Sequence, residues 1–245
     1  MNKLTINRLS VFIVVLTISL LNLSCSSERS RHGVIKSNGE SDITLMEFNQ
    51  PLELSSLPSG WSHVTFKLHG PMDISFVEKE GLNAIRLSTE NTASMLFRQV
   101  DFSLDDYPIL SWHWLIDKKI DTVYDETTAG GDDHPARIYM TFENSEGQRR
   151  SLQLVWAGQQ LNVGDYKQLT YLFGLIGPYT HYVVRNDKDD IGFWYYERVN
   201  IQEIYEQGIG DSTAVRLVEI ALFCDTDQTD NSSVAYFGPV KIHRL

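Results

Sequence analysis

Two tryptophans two residues apart, Trp112 and Trp114, stand in the apolar run Ile109–Ile116. Side chains two apart on a β-strand point to the same face, so the two indoles are expected side by side. Parallel indoles on an exposed sheet are suited to stacking against the apolar faces of sugar rings. The alternative is that both belong to the core, since Leu110 shares their face and extends an apolar row. Trp156 is the third stacking candidate.

A second group combines an arginine with a dense acidic turn. Arg137 follows Asp132 and Asp133 closely and alternates with apolar residues along its own segment, which predicts a polar strand face away from the core. Arg137 could bind the carboxylate of an acidic sugar or of a peptide C-terminus through two parallel hydrogen bonds. An ordinary ion pair between Arg137 and one of the aspartates would explain the same pattern. Arg185 and Trp194 could join such a groove, and buried packing explains them equally well.

Asp225 and Asp227 begin a short loop of oxygen ligands that follows an apolar segment. Calcium binds six to eight hard oxygens, so this loop is a candidate calcium site. It is not an EF-hand, because Thr229 stands at the third ligand position and the required glycine is missing. A solvated turn is the alternative. We expect no other cofactor.

Twelve short apolar or alternating segments are expected to position these residues. They are rich in Val, Ile, Phe, Tyr and Trp, as half-buried strands are, and are separated by turn residues. The segments are Ile43–Phe48, Trp61–Phe66, Asp73–Val77, Ala84–Ser88, Met95–Asp101, Ile109–Ile116, Arg137–Phe142, Leu152–Trp156, Thr180–Arg185, Phe193–Val199, Val215–Cys224 and Val234–Ile242. One helix is expected at Asn200–Gln207, capped by Asn200. The pattern predicts an all-β antiparallel sandwich with one short helix.

The first 25 residues have the character of a secretory signal. A short basic start precedes an almost wholly apolar stretch from Leu9 to Leu23, and Cys25 follows. Leu21 to Cys25 resembles the lipobox of bacterial lipoproteins, although Asn22 stands where that pattern has leucine. We therefore expect lipidation of Cys25, export and a membrane anchor. The alternatives are cleavage at a nearby small residue with release in soluble form, and a retained helical anchor. Residues 26–41 are expected to form a flexible tether and residues 42–245 one β-sandwich domain.

Charge and cysteine count exclude some classes of function. The chain has 32 acidic and 21 basic residues and a formal net charge of -11, with no basic stripe, so we expect no nucleic acid partner. Two cysteines, one of them Cys25, are too few for a disulfide framework or a cysteine-based zinc site. Nucleophile-elbow, metalloprotease and phosphate-loop motifs do not occur.

Several stretches in a fixed order resemble the bacterial family known as domain of unknown function 3047. They are Thr92-Ala93-Ser94 with Leu96-Phe97-Arg98, Tyr107-Pro108 before Ser111-Trp112-His113-Trp114, Gly131-Asp132-Asp133, Pro135-Ala136-Arg137-Ile138-Tyr139 with Phe142, Val155-Trp156-Ala157, Val183-Val184-Arg185, Trp194, Arg198-Val199-Asn200 with Tyr205, and Asp225-Thr226-Asp227-Gln228-Thr229. The extra glycine of Gly130-Gly131 and His134 depart from the family pattern. The resemblance implies an exported sandwich of the jelly-roll kind found in carbohydrate-binding modules, and no established activity.

These observations lead to three hypotheses. The first is a non-catalytic lipoprotein module that binds a glycan or another cell-envelope polymer. The second is a carbohydrate-active hydrolase or lyase on the same scaffold, which needs two carboxylates about 5 to 9 Å apart. The third is a structural envelope component that binds another protein.

Overall fold

A computed structural model of the chain describes residues 33–66, 69–171, 176–210 and 214–245. Cys25 and the signal segment lie outside these residues, so lipidation and export stay predictions. Within the described ranges, no helix combines the length and the apolar character needed to span a bilayer.

The described residues form fifteen strands and one α-helix. The strands are β1 (Ile35–Lys36), β2 (Asp42–Met46), β3 (Trp61–Thr65), β4 (Asp73–Lys79), β5 (Leu82–Glu90), β6 (Ala93–Ser103), β7 (Ile109–Lys118), β8 (Ala136–Asn144), β9 (Arg149–Trp156), β10 (Tyr166–Tyr171), β11 (Ile176–Arg185), β12 (Tyr195–Asn200), β13 (Val215–Asp225), β14 (Ser232–Phe237) and β15 (Val240–His243). The helix α1 (Ile201–Ile209) connects β12 to β13. Short 3-10 turns stand at Leu54–Ser56 and Ala129–Gly131.

The strands are arranged in two sheets. The eight-stranded sheet has the order β1-β6-β13-β8-β9-β11-β10, and β3 also pairs with β6. The seven-stranded sheet has the order β2-β15-β7-β14-β5-β4, and β12 also pairs with β7. Among the described strand pairs, only β1 with β6 and β9 with β11 run parallel. The predicted all-β, mostly antiparallel sandwich of the jelly-roll kind is thus confirmed.

The core lies between the two sheets, and strand alternation decides which side chains enter it. On β8, Ile138, Met140 and Phe142 are fully buried in the main core. Arg137, Tyr139 and Thr141 alternate with them and therefore point to the other side of the sheet, as predicted. We call that side, which faces away from the seven-stranded sheet, the outer face.

Three features of the strand arrangement were not predicted. β1 lies inside the predicted tether, where Ile35 and Lys36 pair with β6. The predicted strand Val234–Ile242 is two strands, since Pro239 has no N–H to donate to a ladder and Gly238 instead donates to the His113 carbonyl at 2.9 Å. β10 was not predicted, because polar Lys167 and Gln168 interrupt its apolar alternation.

Helix α1 begins and ends as its sequence predicts. The Asn200 side chain accepts hydrogen bonds from the N–H groups of Gln202 and Glu203. Gly210 ends the helix in the left-handed conformation, with a φ of 78°. Ile201, Ile204 and Tyr205 are buried, so one face of the helix packs on the core.

Candidate functional site

The outer face of the eight-stranded sheet carries a line of polar residues on neighbouring strands. Gln153 on β9 pairs with Tyr139 on β8 and with His181 on β11, and His181 pairs with Lys167 on β10. Gln153, His181 and Lys167 are all buried, although they face away from the core. Buried polar side chains require partners. The loop that leads into β8 supplies them.

Arg137 lies at the centre of this cluster and is only 1% exposed. Its Nη2 is 2.9 Å from Asp225 Oδ1 and also donates to the Asp132 carbonyl. Its Nη1 lies 3.2 Å from Gln153 Oε1 and 3.3 Å from His181 Nε2. The guanidinium also lies over the Phe223 ring, 5.0 Å from its centroid. Its Nη1 also lies 3.4 Å from Asp132 Oδ2, so the ion pair with the acidic turn that the sequence offered as an alternative is present, and Arg137 is engaged within the protein.

Asp132 and Lys167 form the second ion pair of the cluster, at 2.6 Å. Burial alone would raise the pKa of Asp132, but the charges of Arg137 and Lys167 and the hydrogen bond from His134 hold it well below its ordinary value. Burial lowers the pKa of His134 strongly and that of His181 to about 3. Both imidazoles are therefore neutral at pH 7, and Asp132 is charged.

Three further carboxylates meet beside Arg137. One oxygen from each of Asp133, Asp225 and Asp227 lies within 4.8 Å of the others. Asp133 accepts hydrogen bonds from the N–H and hydroxyl of Thr229, at 2.7 and 2.6 Å. Burial raises the pKa of each of the three groups, that of Asp227 to about 6. We call these three residues the aspartate trio.

The loop before β8 is held by a carboxylate that the sequence analysis did not single out. Glu126 accepts backbone hydrogen bonds from Gly158 and Gln160 at 2.6 Å and from Leu161 at 2.9 Å. Lys167 Nζ donates to the Glu126 carbonyl at 2.8 Å. Gln153, Lys167 and His181 were missed because only strand pairing brings them together, and no local spacing signals it. Glu126 was missed because the backbone groups that it binds lie 32 to 35 residues further along the chain.

The three tryptophans proposed for sugar stacking lie in the core. Trp112, Trp114 and Trp156 are each 0% exposed, and the planes of Trp112 and Trp114 meet at 89° rather than lying parallel. Trp114 Nε1 donates to Glu197 Oε1 at 3.1 Å. The expected stacking surface is therefore not present, because inward alternation on β7 and β9 places these indoles between the sheets.

Arg185 and Trp194 have different partners. Arg185 pairs with Glu197 and, at 3.1 Å, with Asp189, and its guanidinium lies 3.8 Å from the centroid of Tyr195. Trp194 donates from Nε1 to the Lys79 carbonyl at 3.2 Å and packs against Tyr236. The predicted site residues thus fall mainly into two groups. Asp132, Asp133, Arg137, Asp225 and Asp227 come together on the outer face. Trp112, Trp114 and Trp156 contact one another in the core, where the Arg185 guanidinium lies 6.0 Å from the Trp156 ring centroid.

The outer face also carries aromatic side chains that reach solvent. Phe97 on β6 and Tyr139 on β8 both pair with Ala221 on β13, and their rings meet edge to face at 5.8 Å. Burial raises the pKa of Tyr139 to about 12, and Tyr179 and Glu219 add to the shift. Phe97, Tyr139 and Tyr179 are partly exposed. We call these three the aromatic row.

The fold and its clusters define an all-β two-sheet protein with a buried charged cluster and a partly exposed aromatic row on one outer face. The chain belongs to the family described as protein of unknown function DUF3047, which matches residues 59–241. No curated protein matches the chain.

Several solved structures resemble the chain at low identity. The enzymatically active domain of bacteriophage CBA120 tailspike protein 4 is 10% identical, with a TM-score of 0.36, over 75% of this chain and 19% of that chain. The family 11 xylanase from Neocallimastix patriciarum is 11% identical, with a TM-score of 0.41, over 85% and 97% of the two chains. The endoglucanase cel12A from Rhodothermus marinus is 10% identical, with a TM-score of 0.43, over 76% and 93%. The chain spans about a fifth of the tailspike protein's length. Likeness at this level does not bear on activity.

Proposed function

We propose that the protein is a non-catalytic glycan-binding module and that the aromatic row forms its binding surface. The observation that carries the proposal is the position of Phe97, Tyr139 and Tyr179, which lie partly exposed on three strands of one sheet face. This surface replaces the buried tryptophans as the place where a sugar ring could stack.

The chemistry of the surface suits a polyhydroxylated ligand. Aromatic rings offer apolar faces to the C–H faces of sugars, while phenol hydroxyls form hydrogen bonds at their edges. Gln99 and Glu219 pair across β6 and β13, and Glu219 also pairs with Thr141 on β8. Amide, carboxylate and hydroxyl groups therefore adjoin the rings. Such groups accept and donate the hydrogen bonds that fix the orientation of a ligand.

The site of action is part of the same proposal. The lipobox-like residues Leu21 to Cys25 support acylation of Cys25 and attachment to a membrane, where an envelope or extracellular polysaccharide would be within reach. Metabolic labelling with an alkynyl fatty acid tests this step. Label in the wild type and none in a Cys25→Ser variant is the expected result.

A glycan array followed by calorimetry on the purified full-length protein tests the binding proposal. Removing about 60 Å² of stacked ring surface costs about 1.5 kcal/mol, so Tyr179→Ala should weaken binding about tenfold. Tyr196→Ala is the matched control, because this tyrosine is 53% exposed and belongs to β12 of the other sheet. The control should bind like the wild type.

Three outcomes would overturn the proposal. One is that no envelope or plant polysaccharide binds. Another is that Tyr179→Ala and Tyr196→Ala reduce binding equally. The third is that the protein releases new reducing ends from a bound polysaccharide, which would make it a hydrolase.

A further inference from the structure

The aspartate trio has a geometry that suits a cation. Its three oxygens lie within 4.8 Å of one another. Calcium–oxygen distances are about 2.3 to 2.6 Å, so two ligands of one calcium ion lie at most about 5 Å apart. The side chains are well buried: Asp133 and Asp225 are 5% and 3% exposed, and the Asp227 side chain is 8% exposed.

The carboxylates around the trio outnumber the lysine and arginine side chains that pair with them. Four buried carboxylates, Asp132 and the trio, share the side-chain cations Arg137 and Lys167. His69 lies 3.5 Å from Asp227, and Glu126 is already satisfied by three backbone N–H groups. With all four carboxylates ionised, the cluster would carry two negative charges more than Arg137 and Lys167 supply. Buried charges without counterions are strongly destabilising, and a divalent cation supplies the missing charge.

Unpartnered oxygens provide an independent sign of a ligand. In the described part of the chain, Asp227 Oδ1, Thr226 Oγ1 and Gln228 Oε1 are buried and have no hydrogen-bond partner. Buried polar atoms nearly always have one, so three such oxygens on consecutive residues require an explanation. One of them belongs to the trio itself. The Gln228 N–H donates to Asp133 Oδ1 at 3.3 Å, so Gln228 lies beside the trio as well.

We propose that Asp133, Asp225 and Asp227 bind one calcium ion, with Thr226 and Gln228 providing further side-chain oxygens. The donor set consists of hard oxygens without a cysteine or histidine, which favours calcium over zinc. Irregularly placed ligands on two segments favour calcium over magnesium, which demands near-ideal octahedral geometry. The ion ties the loop before β8 to the turn after β13. The proposal does not depend on glycan binding.

Calcium binding is tested on purified full-length protein that has been stripped with EDTA and then titrated with calcium or magnesium chloride. We expect one calcium per chain by calorimetry and a rise in Tm of about 4 °C or more at saturating calcium. The metal content of protein isolated without chelator is a second measurement, and about one calcium per chain is expected there.

Asp227→Asn is the diagnostic variant, because it removes one charge and keeps the side-chain shape. It should lower calcium affinity at least tenfold and should raise the Tm of the calcium-free protein, since carboxylate repulsion is relieved. Asp230→Asn is the matched control: it lies in the same turn, is exposed and is not a member of the trio. It should bind calcium like the wild type.

Three results would overturn the proposal. One is the absence of both a calcium-dependent rise in Tm and bound calcium in the isolated protein. Another is equal loss of affinity in Asp227→Asn and Asp230→Asn, which would indicate loose association with acidic surface. The third is stronger stabilisation by magnesium than by calcium.

Discussion

Replacing His181 by glutamine tests how the buried cluster controls the pH dependence of stability. His181 is fully buried, with Nε2 3.3 Å from Arg137 Nη1 and 3.6 Å from Asp132 Oδ1. Burial lowers its pKa to about 3. Glutamine preserves an acceptor for Arg137 and does not titrate, so the variant removes the proton equilibrium and keeps a polar side chain.

The size of the effect follows from the two pKa values. In the unfolded chain histidine titrates near 6.5, so below that pH the unfolded state takes up a proton that the folded state does not bind. Stability is therefore lost as the pH falls from about 6.5 towards 3, at about 1.4 kcal/mol per pH unit. Between pH 8 and pH 5 the loss from this residue is about 2 kcal/mol.

Urea unfolding at pH 8 and pH 5, followed by tryptophan fluorescence in EDTA, measures this difference. The buried tryptophans of the core make the signal sensitive to loss of the folded state. The free energy of unfolding of the variant minus that of the wild type should be about 2 kcal/mol more favourable at pH 5 than at pH 8. This difference does not depend on how much the substitution itself destabilises the protein at pH 8. A free-energy difference that is the same at both pH values would refute the assignment of this pH dependence to buried His181.

The remaining predictions concern the loop before β8, the thiol and the core. Gly131→Ala should lower the Tm in thermal scans, because a Cβ there would lie 2.3 Å from the Asp125 carbonyl oxygen. Gly130→Ala is its control and should leave the Tm unchanged, because a Cβ at that position has no atom closer than 4.0 Å. Burial raises the pKa of Cys224 to about 12, so with the chain's other cysteine replaced by serine a thiol reagent at pH 8 should label only unfolded protein. Trp156→Ala should lower the free energy of unfolding by about 3 to 5 kcal/mol in urea titrations, while glycan affinity of the folded protein stays unchanged.

Alternation along single strands was a sound guide wherever one side of a strand meets the core. Ile138, Met140 and Phe142 are buried as predicted, and Asn200 caps its helix. The same rule did not decide whether the tryptophans are buried. Alternation places Trp112 and Trp114 on one face of their strand, but it does not tell whether that face is turned to the core or to solvent. Leu110 on their face was the deciding signal, and it belongs to the core as well.

The charged cluster could not be predicted from the sequence, because it depends on the register between strands that are distant along the chain. Phe223 pairs with Arg137, so Asp225, two residues further on, extends past the start of β8 and meets the loop that carries Asp133. The sequence offered these aspartates as two unrelated turns. Nothing in the sequence indicated that Lys167 on β10 is buried. A lysine on the outer face of a strand gives the same alternation of residue types whether it is buried or exposed.

The last strand of the chain lies between two others, with β2 on one side and β7 on the other. Residues 240–243 therefore complete a sheet that the first strands begin, and His243 pairs with Asp42 across that join. A chain cut before Val240 would leave β2 without its partner in this sheet and would expose an unpaired strand edge.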